Sequence, residues 1–557
     1  MKVLWCSFAI SLLMIADLGP PLIAQEQLSS FDPASEQQRN SDLQERRKAL
    51  NDFTPRRNPE KLEAQQSTGG PCFDIQEINV SGVSALDPKK LGALISSYVP
   101  GCLDGTAIQS VMQELDGAYA EAGHITTKTY IAPQNIASGT LVLTVLEGTV
   151  EGLYLVDADG LVEGFKARRL LKSAFPSIGN GIFQLRDVEQ GLDQMNRLAS
   201  VQAKMRLQPG ERDGGSNIIV QRIQDDWFRG KFTYNNQGSE STGKNNVGLN
   251  FDIDDIMSAN DTWSLSLTGT THTNAVSFTG STPYGYSTFN WGFSYSEYLI
   301  PLSEISELFG QSRTYDFGWK YLLKRDQTST TTFELGIQKS GSVRYVNDAK
   351  LTPQNISPLK AKLTHITQVG KTKHSLDVSF TQGLKALEAD GDPADLTGKL
   401  PHAQFRKLEA GWLRQKSLND GAQLVTDVRL QFAPHSLYGS QQMSLGSKST
   451  VRGYDISEAI GDMGLYLRSD YNYNFTAQDS ELDQKLKDLS LSYFFDYGFT
   501  RDIALDKFSR AAGLGIGVGY KFGKLDTSLT YSVPLISENA WEKGPPLLTV
   551  NASVALF

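Results

Sequence analysis

The sequence predicts an all-β transmembrane barrel of about 16 antiparallel strands, preceded by two α+β domains and an N-terminal helix. Three observations carry the prediction. After Trp227 apolar residues recur at every second position as far as Phe557. Between Phe73 and about Gln224 one pattern of strand, helix, helix, strand, strand runs through twice. At the start, Lys2 precedes an apolar run from Val3 to Ala16 and a Pro-containing stretch ending in Ala24, the layout of a secretory signal.

A chain of 557 residues exceeds one ordinary domain. Its formal charge of −9 gives no basic excess to neutralise a phosphate backbone, so no nucleic-acid partner is expected. No stretch beyond the signal approaches the roughly 18 apolar residues of a spanning helix, which excludes a helical membrane bundle. Of the three cysteines, Cys6 lies in the signal. Cys72 and Cys102 remain as an even pair in an oxidising compartment and are expected to form a disulfide.

The elements follow in order. Residues 1–24 are the signal peptide, with Ala24/Gln25 as the preferred junction, and 25–70 form a helix and linker. Asp32 offers an N-cap and Pro33 the first helical position, while Pro55 and Pro59 end the segment. This helix has Leu43 and Leu50 but little other apolar surface, so it is either a disordered tail or a helix standing in a water-filled channel. The first repeat, 71–149, opens with a strand in "FDIQEINVSGV". Its second helix carries Ile108, Val111, Met112, Leu115, Tyr119 and Ala122 on one face and ends at Gly123. The second repeat, 150–226, has a helix around "KARRLLKSAF" and another with Val188, Leu192, Met195 and Ala199 aligned. Each repeat is expected to be a three-stranded sheet covered by two helices.

Residues 227–557 alternate. Trp263, Leu265 and Leu267 oppose Ser264 and Ser266; Leu376, Val378 and Phe380 oppose Ser375, Asp377 and Ser379; Tyr471 and Tyr473 oppose Asp470 and Asn472. Exported alternating strands suit a soluble sandwich or an outer-membrane barrel, and an even number of about sixteen segments of roughly ten residues favours the barrel. At that strand number the lumen is wide enough for an aqueous channel. The C-terminal pattern is only partial: Phe557 shares its face with Ala555, Ser553 and Asn551, whereas Leu556, Val554 and Val550 lie opposite.

No catalytic constellation is present in the sequence. "GSESTGKN", Gly238 to Asn245, lacks the final Ser or Thr of a phosphate-binding loop and reads as a hairpin turn; "VGKT" at 369–372 lacks the upstream glycine. The six histidines show no metal-ligand spacing, so no metal, cofactor or enzymatic activity is expected. One residue demands a different account. Arg452 stands in the glycine-rich connection "STVRGYDISEAIGDMG", where it is either an exposed loop arginine or, if the loop folds back into the barrel, the partner of a wall carboxylate such as Asp496 in "FFDYG".

Val451, Arg452, Gly453 and Tyr454 as V-R-G-Y, together with Phe494, Asp496 and Gly498 as F-x-D-x-G and the two preceding repeats, resemble the two-partner secretion transporters of the Omp85 superfamily, the haemolysin-activator and filamentous-haemagglutinin-transporter type. The resemblance covers everything after the signal. It implies that the repeats are periplasmic POTRA domains, that the helix from about 33 to 52 plugs the barrel, and that the 446–463 loop enters the lumen with Arg452 on Asp496. It implies an outer-membrane protein of a Gram-negative bacterium that recognises a large exoprotein, of adhesin or cytolysin type, through an N-terminal secretion domain. The partners so implied are that exoprotein, outer-membrane lipid, periplasmic chaperones and the barrel assembly machinery. The alternative within the superfamily is a factor that inserts other barrels; such factors resemble longer chains with more POTRA copies and no plug helix. A passive porin would need no periplasmic receptor of this size.

Overall fold

The computed structural model describes residues 33–55, 71–179, 181–238, 243–303, 305–419, 421–454, 459–475, 486, 488–537 and 544–557. The signal peptide, the Asp32 cap, most of the linker, residues 239–242 of the first hairpin and residues 455–458 of the arginine loop lie outside these.

A 20-residue helix, α1 (Pro33–Asp52), opens the described chain. The first α+β domain follows. Its strand Glu77–Ser81 pairs in parallel with Thr140–Leu146, which pairs antiparallel with Lys128–Tyr130. Helices α2 (Pro88–Ser96) and α3 (Gly105–Glu121) cover this sheet, their N-termini capped by Asp87 and Asp104. Ile108, Val111 and Leu115 of α3 pack on Ile78, Leu141 and Leu143, and Gly123 closes the helix with φ of +97°. The opening "FDIQEINVSGV" is not one strand. It breaks at Gln76, and Phe73–Ile75 pairs with Gly101–Leu103 in a separate ribbon, where Cys72 and Cys102 are joined with Cα atoms 5.4 Å apart. Glu147 ties the domain together by accepting from Ser84 N (2.6 Å), Ser84 Oγ, Ala85 N (2.8 Å) and Tyr119 Oη (2.8 Å). Burial pushes its pKa up, but these donors outweigh burial and hold the carboxyl at about 2.

The second domain has four strands rather than three, in the order Leu161–Val162, Thr149–Val156, Gly215–Gln224, Val201–Pro209. The extra two-residue strand arises because the chain doubles back through a turn at Asp157–Gly160 before its first helix. Helices α4 (Gly164–Ala174) and α5 (Leu185–Asn196) bury Leu170, Val188 and Met195 against the sheet; Ala199 lies beyond the end of α5. The two domains are stitched by Leu185 N to Gly123 O (2.9 Å) and by His124 Nδ1 and Phe183 O (2.8 Å).

A closed barrel of 16 antiparallel strands completes the chain, with one two-residue fragment beside it. The alternation sets the faces as the sequence dictates: Leu376, Val378 and Phe380 are exposed outward while Ser375, Asp377 and Ser379 are buried inside. The last strand, Leu547–Ala555, closes on the first, Phe228–Asn235, with Ala555 opposite Lys231. Phe557 lies past the strand, so its side is not set by alternation. Its ring turns to stack on Phe228, with centroids 4.9 Å apart, and Leu556 N donates to Gly230 O.

The second domain is bolted to the barrel turns at its own end of the barrel. Arg197 reaches Ser281 Oγ (2.7 Å) and the Asn260 carbonyl (2.9 Å), Gln190 and Gln194 donate to the Gly285 carbonyl, Tyr286 donates to Asp187, and Arg222 pairs with Asp255 at 2.8 Å.

Candidate functional site

The long connection between strands Ala422–Phe432 and Met463–Asn474 leaves from the end opposite the α+β domains and folds back inside. Its two arms pair as a small ribbon, Met443–Leu445 against Ala459–Gly461, laid on the wall strand Leu489–Asp502. A Cβ at Gly498 would come within 2.9 Å of Leu445 Cδ2 and 3.0 Å of the Leu465 carbonyl, so glycine here lets the ribbon approach the wall. Val451 is fully buried among Met443, Leu445, Ala459, Tyr466 and Ala511.

Arg452 stands at the turn of this loop and faces a wall built from two strands. Its Nε and Nη2 form a fork on Asp496, at 2.7 and 2.8 Å from Oδ2 and Oδ1, and its own backbone N–H donates to Oδ2 at 3.0 Å. The same Nη2 reaches Asp470 Oδ1 at 2.5 Å. The guanidinium lies 3.6 Å above the centroid of the Phe494 ring, a cation–π contact. Phe494 has room because Gly515 faces it; a Cβ there would be 2.4 Å from Phe494 Cζ. Asp496 is 0% exposed, and its cross-strand neighbour is Arg468.

Gly453 and Tyr454 fix the turn. Gly453 has φ of +107°, and a Cβ there would sit 3.2 Å from Pro534 N and Val533 C. Beyond it the ladder between Lys507–Phe522 and Leu525–Ser537 is interrupted by a bulge at Ala512/Gly513, opposite Pro534, which has no N–H to give. The Tyr454 hydroxyl fills this gap, accepting from Ala512 N at 3.0 Å and lying in donor range of the Ala512 (2.7 Å) and Ile536 carbonyls. The structure thus brings together all seven residues read from the two motifs.

The second luminal element is α1. Arg46 pairs with Asp427 and lies 3.8 Å from Asp377, which also takes Arg429 at 2.5 Å. Arg47 reaches Asp470 Oδ2 at 2.9 Å, on the carboxylate whose other oxygen holds Arg452. At the periplasmic end, Lys373 Nζ donates to the carbonyls of Leu50 (3.2 Å), Asn51 (3.0 Å) and Phe53 (2.5 Å), placing a cation at the negative end of the helix dipole. Leu50 is 1% exposed. A cavity of about 1060 Å³ remains beside helix and loop, reaching Lys231, Asn250, Asp252, Arg452 and Ser528. Asp470, Asp427, Asp377 and Tyr454's bulge partners were not singled out from the sequence. Only the inward alternation of Asp470 and Asp377 with outward aromatic and aliphatic residues hinted at the two acids.

A closed barrel occupied by a polar helix and a re-entrant loop, with two α+β domains at its periplasmic mouth, defines an outer-membrane transporter of the Omp85 kind. The chain belongs to the family described as haemolysin secretion/activation protein ShlB/FhaC/HecB, whose sequence model matches residues 214–520. Residues 73–148 match a ShlB-type POTRA domain and 154–209 a POTRA domain. The chain is 27% identical over 572 residues to the outer membrane transporter CdiB of Escherichia coli, covering 99% of this chain and 92% of that one. It is 26% identical over 470 residues to the hemolysin transporter protein ShlB of Serratia marcescens, covering 80% and 81%. The solved structure of CdiB from Escherichia coli matches with a TM-score of 0.84 at 24% identity over 94% of this chain and 99% of that one; CdiB from Acinetobacter baumannii matches at 0.74 and 17%, with the same coverage. These two show the fold. The family consists of transporters, and the chain is an outer-membrane two-partner secretion transporter with its POTRA domains in the periplasm.

Proposed function

We propose that this transporter exports one large exoprotein of adhesin or cytolysin type, and that Arg452 on Asp496 is the lock that holds the 446–463 loop in its working position. In this reading residues 71–149 and 150–226 receive the exoprotein's N-terminal secretion domain, α1 plugs the pore at rest, and 227–557 form the conduit. The supporting observation is the occupied lumen: α1 is held to the wall mainly by ion pairs, and the loop by the Arg452 fork together with one small apolar cluster around Val451, so neither belongs to the barrel's own ladder and both can be displaced without unfolding it. Sheet edges left unpaired in the two domains, Glu77–Ser81 and Val201–Pro209, can each accept an extended chain as an added strand. Folding of the exported chain outside, repeat upon repeat, supplies the pull without a nucleotide. Folding helpers on the route are periplasmic chaperones and the barrel assembly machinery.

The test compares proteins of the medium and of the outer membrane in cells with the chain, without it, and with Arg452→Ala. Loss of one large exoprotein from the medium in both defective strains is the expected result. Depletion of many outer-membrane barrels instead would make the chain an insertion factor.

A further inference from the structure

The chain is acidic overall, yet α4 presents Lys166, Arg168, Arg169 and Lys172 within seven residues, all exposed, beside Phe165, which is 70% exposed. Helical spacing gathers three of them: Ala167, Leu170, Ser173 and Ala174 face inward, leaving Phe165, Arg168, Arg169 and Lys172 on one outward arc, while Lys166, exposed at the helix start, lies on the side towards Asp255 of the barrel turn. Arg169 lies 5.5 Å over the Phe165 ring, and Arg168 Nε reaches only its own helix's Gly164 carbonyl. Among the described residues none of the four cations lies within ion-pair distance of a carboxylate, although Lys166 is near enough to Asp255 to act on it electrostatically. The acids of the same segment, Asp157, Asp159 and Glu163, precede the helix, and Asp157 is engaged in capping its own turn.

The position of α4 gives this face its partner. Asn260 of a periplasmic turn donates to Leu170 O (3.0 Å) and Ser173 Oγ (2.8 Å), and Gly285 N of the next turn donates to Ser173 O (2.8 Å). One residue beyond Asn260, Asp261 accepts from Trp263 Nε1, and the Trp263 ring packs outward against Phe278 and Trp291 at 5.4 and 5.3 Å. Such an aromatic cluster on the lipid face marks the level of the headgroups. In the turn between them Ile256 is 55% exposed. Helix α4 is therefore anchored at the rim where the bilayer ends.

We propose that the outward arc of α4 is a docking surface for acidic phospholipid headgroups in the leaflet facing the periplasm, with Phe165 entering the interface, Arg168, Arg169 and Lys172 meeting the phosphates, and Lys166 adding to the positive potential from the side of the helix. A convex helix face bearing an aromatic and several cations suits a lipid surface, which needs no groove to receive it. Docking here would hold the second POTRA domain against the membrane in addition to its bonds to the barrel turns.

The test uses the full chain in nanodiscs of phosphatidylcholine alone or mixed with phosphatidylglycerol, each with a trace of headgroup-nitroxide lipid, and a fluorophore on Glu163→Cys. Quenching should rise on adding phosphatidylglycerol, fall with salt, and drop roughly threefold or more when Lys166, Arg168, Arg169 and Lys172 are changed to Gln. Heat-modifiable gel mobility checks that the barrel of each variant is folded. Quenching indifferent to phosphatidylglycerol and to the four changes overturns the proposal. So does a fourfold variant that quenches normally but no longer binds the exoprotein's N-terminal domain, which would make the arc a polypeptide site. Loss of quenching with export intact supports lipid docking, and it leaves the export reading standing separately.

Discussion

Replacing Arg452 by alanine removes three side-chain hydrogen bonds to two buried carboxylates and the cation over Phe494, while the backbone bond from residue 452 to Asp496 survives. Breaking a buried pair by deleting one partner costs roughly 3 to 5 kcal/mol, because the other charge stays behind in poor solvation. Arg468, across the ladder from Asp496, softens that penalty, so the lower end, about 3 kcal/mol, is expected. Each 1.4 kcal/mol is tenfold, which raises the undocked fraction of the loop on the order of 100-fold. Ser449 is 3% exposed in the docked loop, so a cysteine at this position reports the change. Ser449→Cys should react slowly with an impermeant maleimide alone and far faster in combination with Arg452→Ala. Barrel folding, read by heat-modifiable mobility, should be normal and export of the exoprotein low. The double variant with Asp496→Ala should lose much less than the sum of the single changes, since the pair acts as a unit. Wild-type export by Arg452→Ala, or additive losses in the double variant, would refute the lock.

Other outcomes follow from the same geometry. Gly453→Ala places a side chain at φ of +107° within 3.2 Å of backbone, and it should undock the loop and reduce export with the ion pair intact, by about 1 to 3 kcal/mol. Arg46→Ala with Arg47→Ala loosens α1 and should raise single-channel conductance in planar bilayers; unchanged conductance would mean that the helix is not the plug. Cys102→Ser opens a cross-link spanning 30 residues and should lower the first POTRA domain's stability by roughly 3 to 4 kcal/mol, seen as faster proteolysis of that domain in the full chain. Glu147 has a folded pKa of about 2 against an ordinary 4.5, so its contribution is full above about pH 4.5 and is lost as pH falls towards 2. Between pH 5 and 3 the wild-type first domain should lose more stability than Glu147→Gln, measured by proteolysis of the full chain, and equal losses would contradict that role.

The barrel and the repeats were legible because each writes a period into the sequence; α1, polar all round, writes none, and its residues alone left it either a tail or a helix in a channel. Alternation at 2 records lipid on one side and water on the other, and spacing at 3.6 records a helix on a sheet. What spacing could not convey was pairing between distant strands. Asp470 looks like any inward polar residue until Met463–Asn474 and Leu489–Asp502 lie side by side and put it opposite Phe494, diagonal to Asp496 on the same inner face. The split of the first strand at Gln76 was hidden because Phe73–Ile75 is apolar enough for either sheet; only its pairing with Gly101–Leu103 separates the two. The docking of α5 on the barrel uses the backbone carbonyls of Gly285 and Asn260 as acceptors, and that of α4 uses the Gly285 N–H and the Asn260 amide as donors to α4's own carbonyls; contacts made so largely through backbone groups leave little residue-type signature.

Asp470 divides its two oxygens between a residue of the helix and a residue of the loop, Arg47 and Arg452. Three guanidinium groups, with Arg468, bear on this one carboxylate. On the proposal that α1 leaves the pore, Arg47 would go with it, and Asp470 would be left with less competing positive charge around Arg452. The grip on the loop would then tighten as the helix departs, and by reciprocity a firmly seated loop would favour an absent helix by the same factor. The helix and the loop that share Asp470 would thus oppose each other through a single side chain.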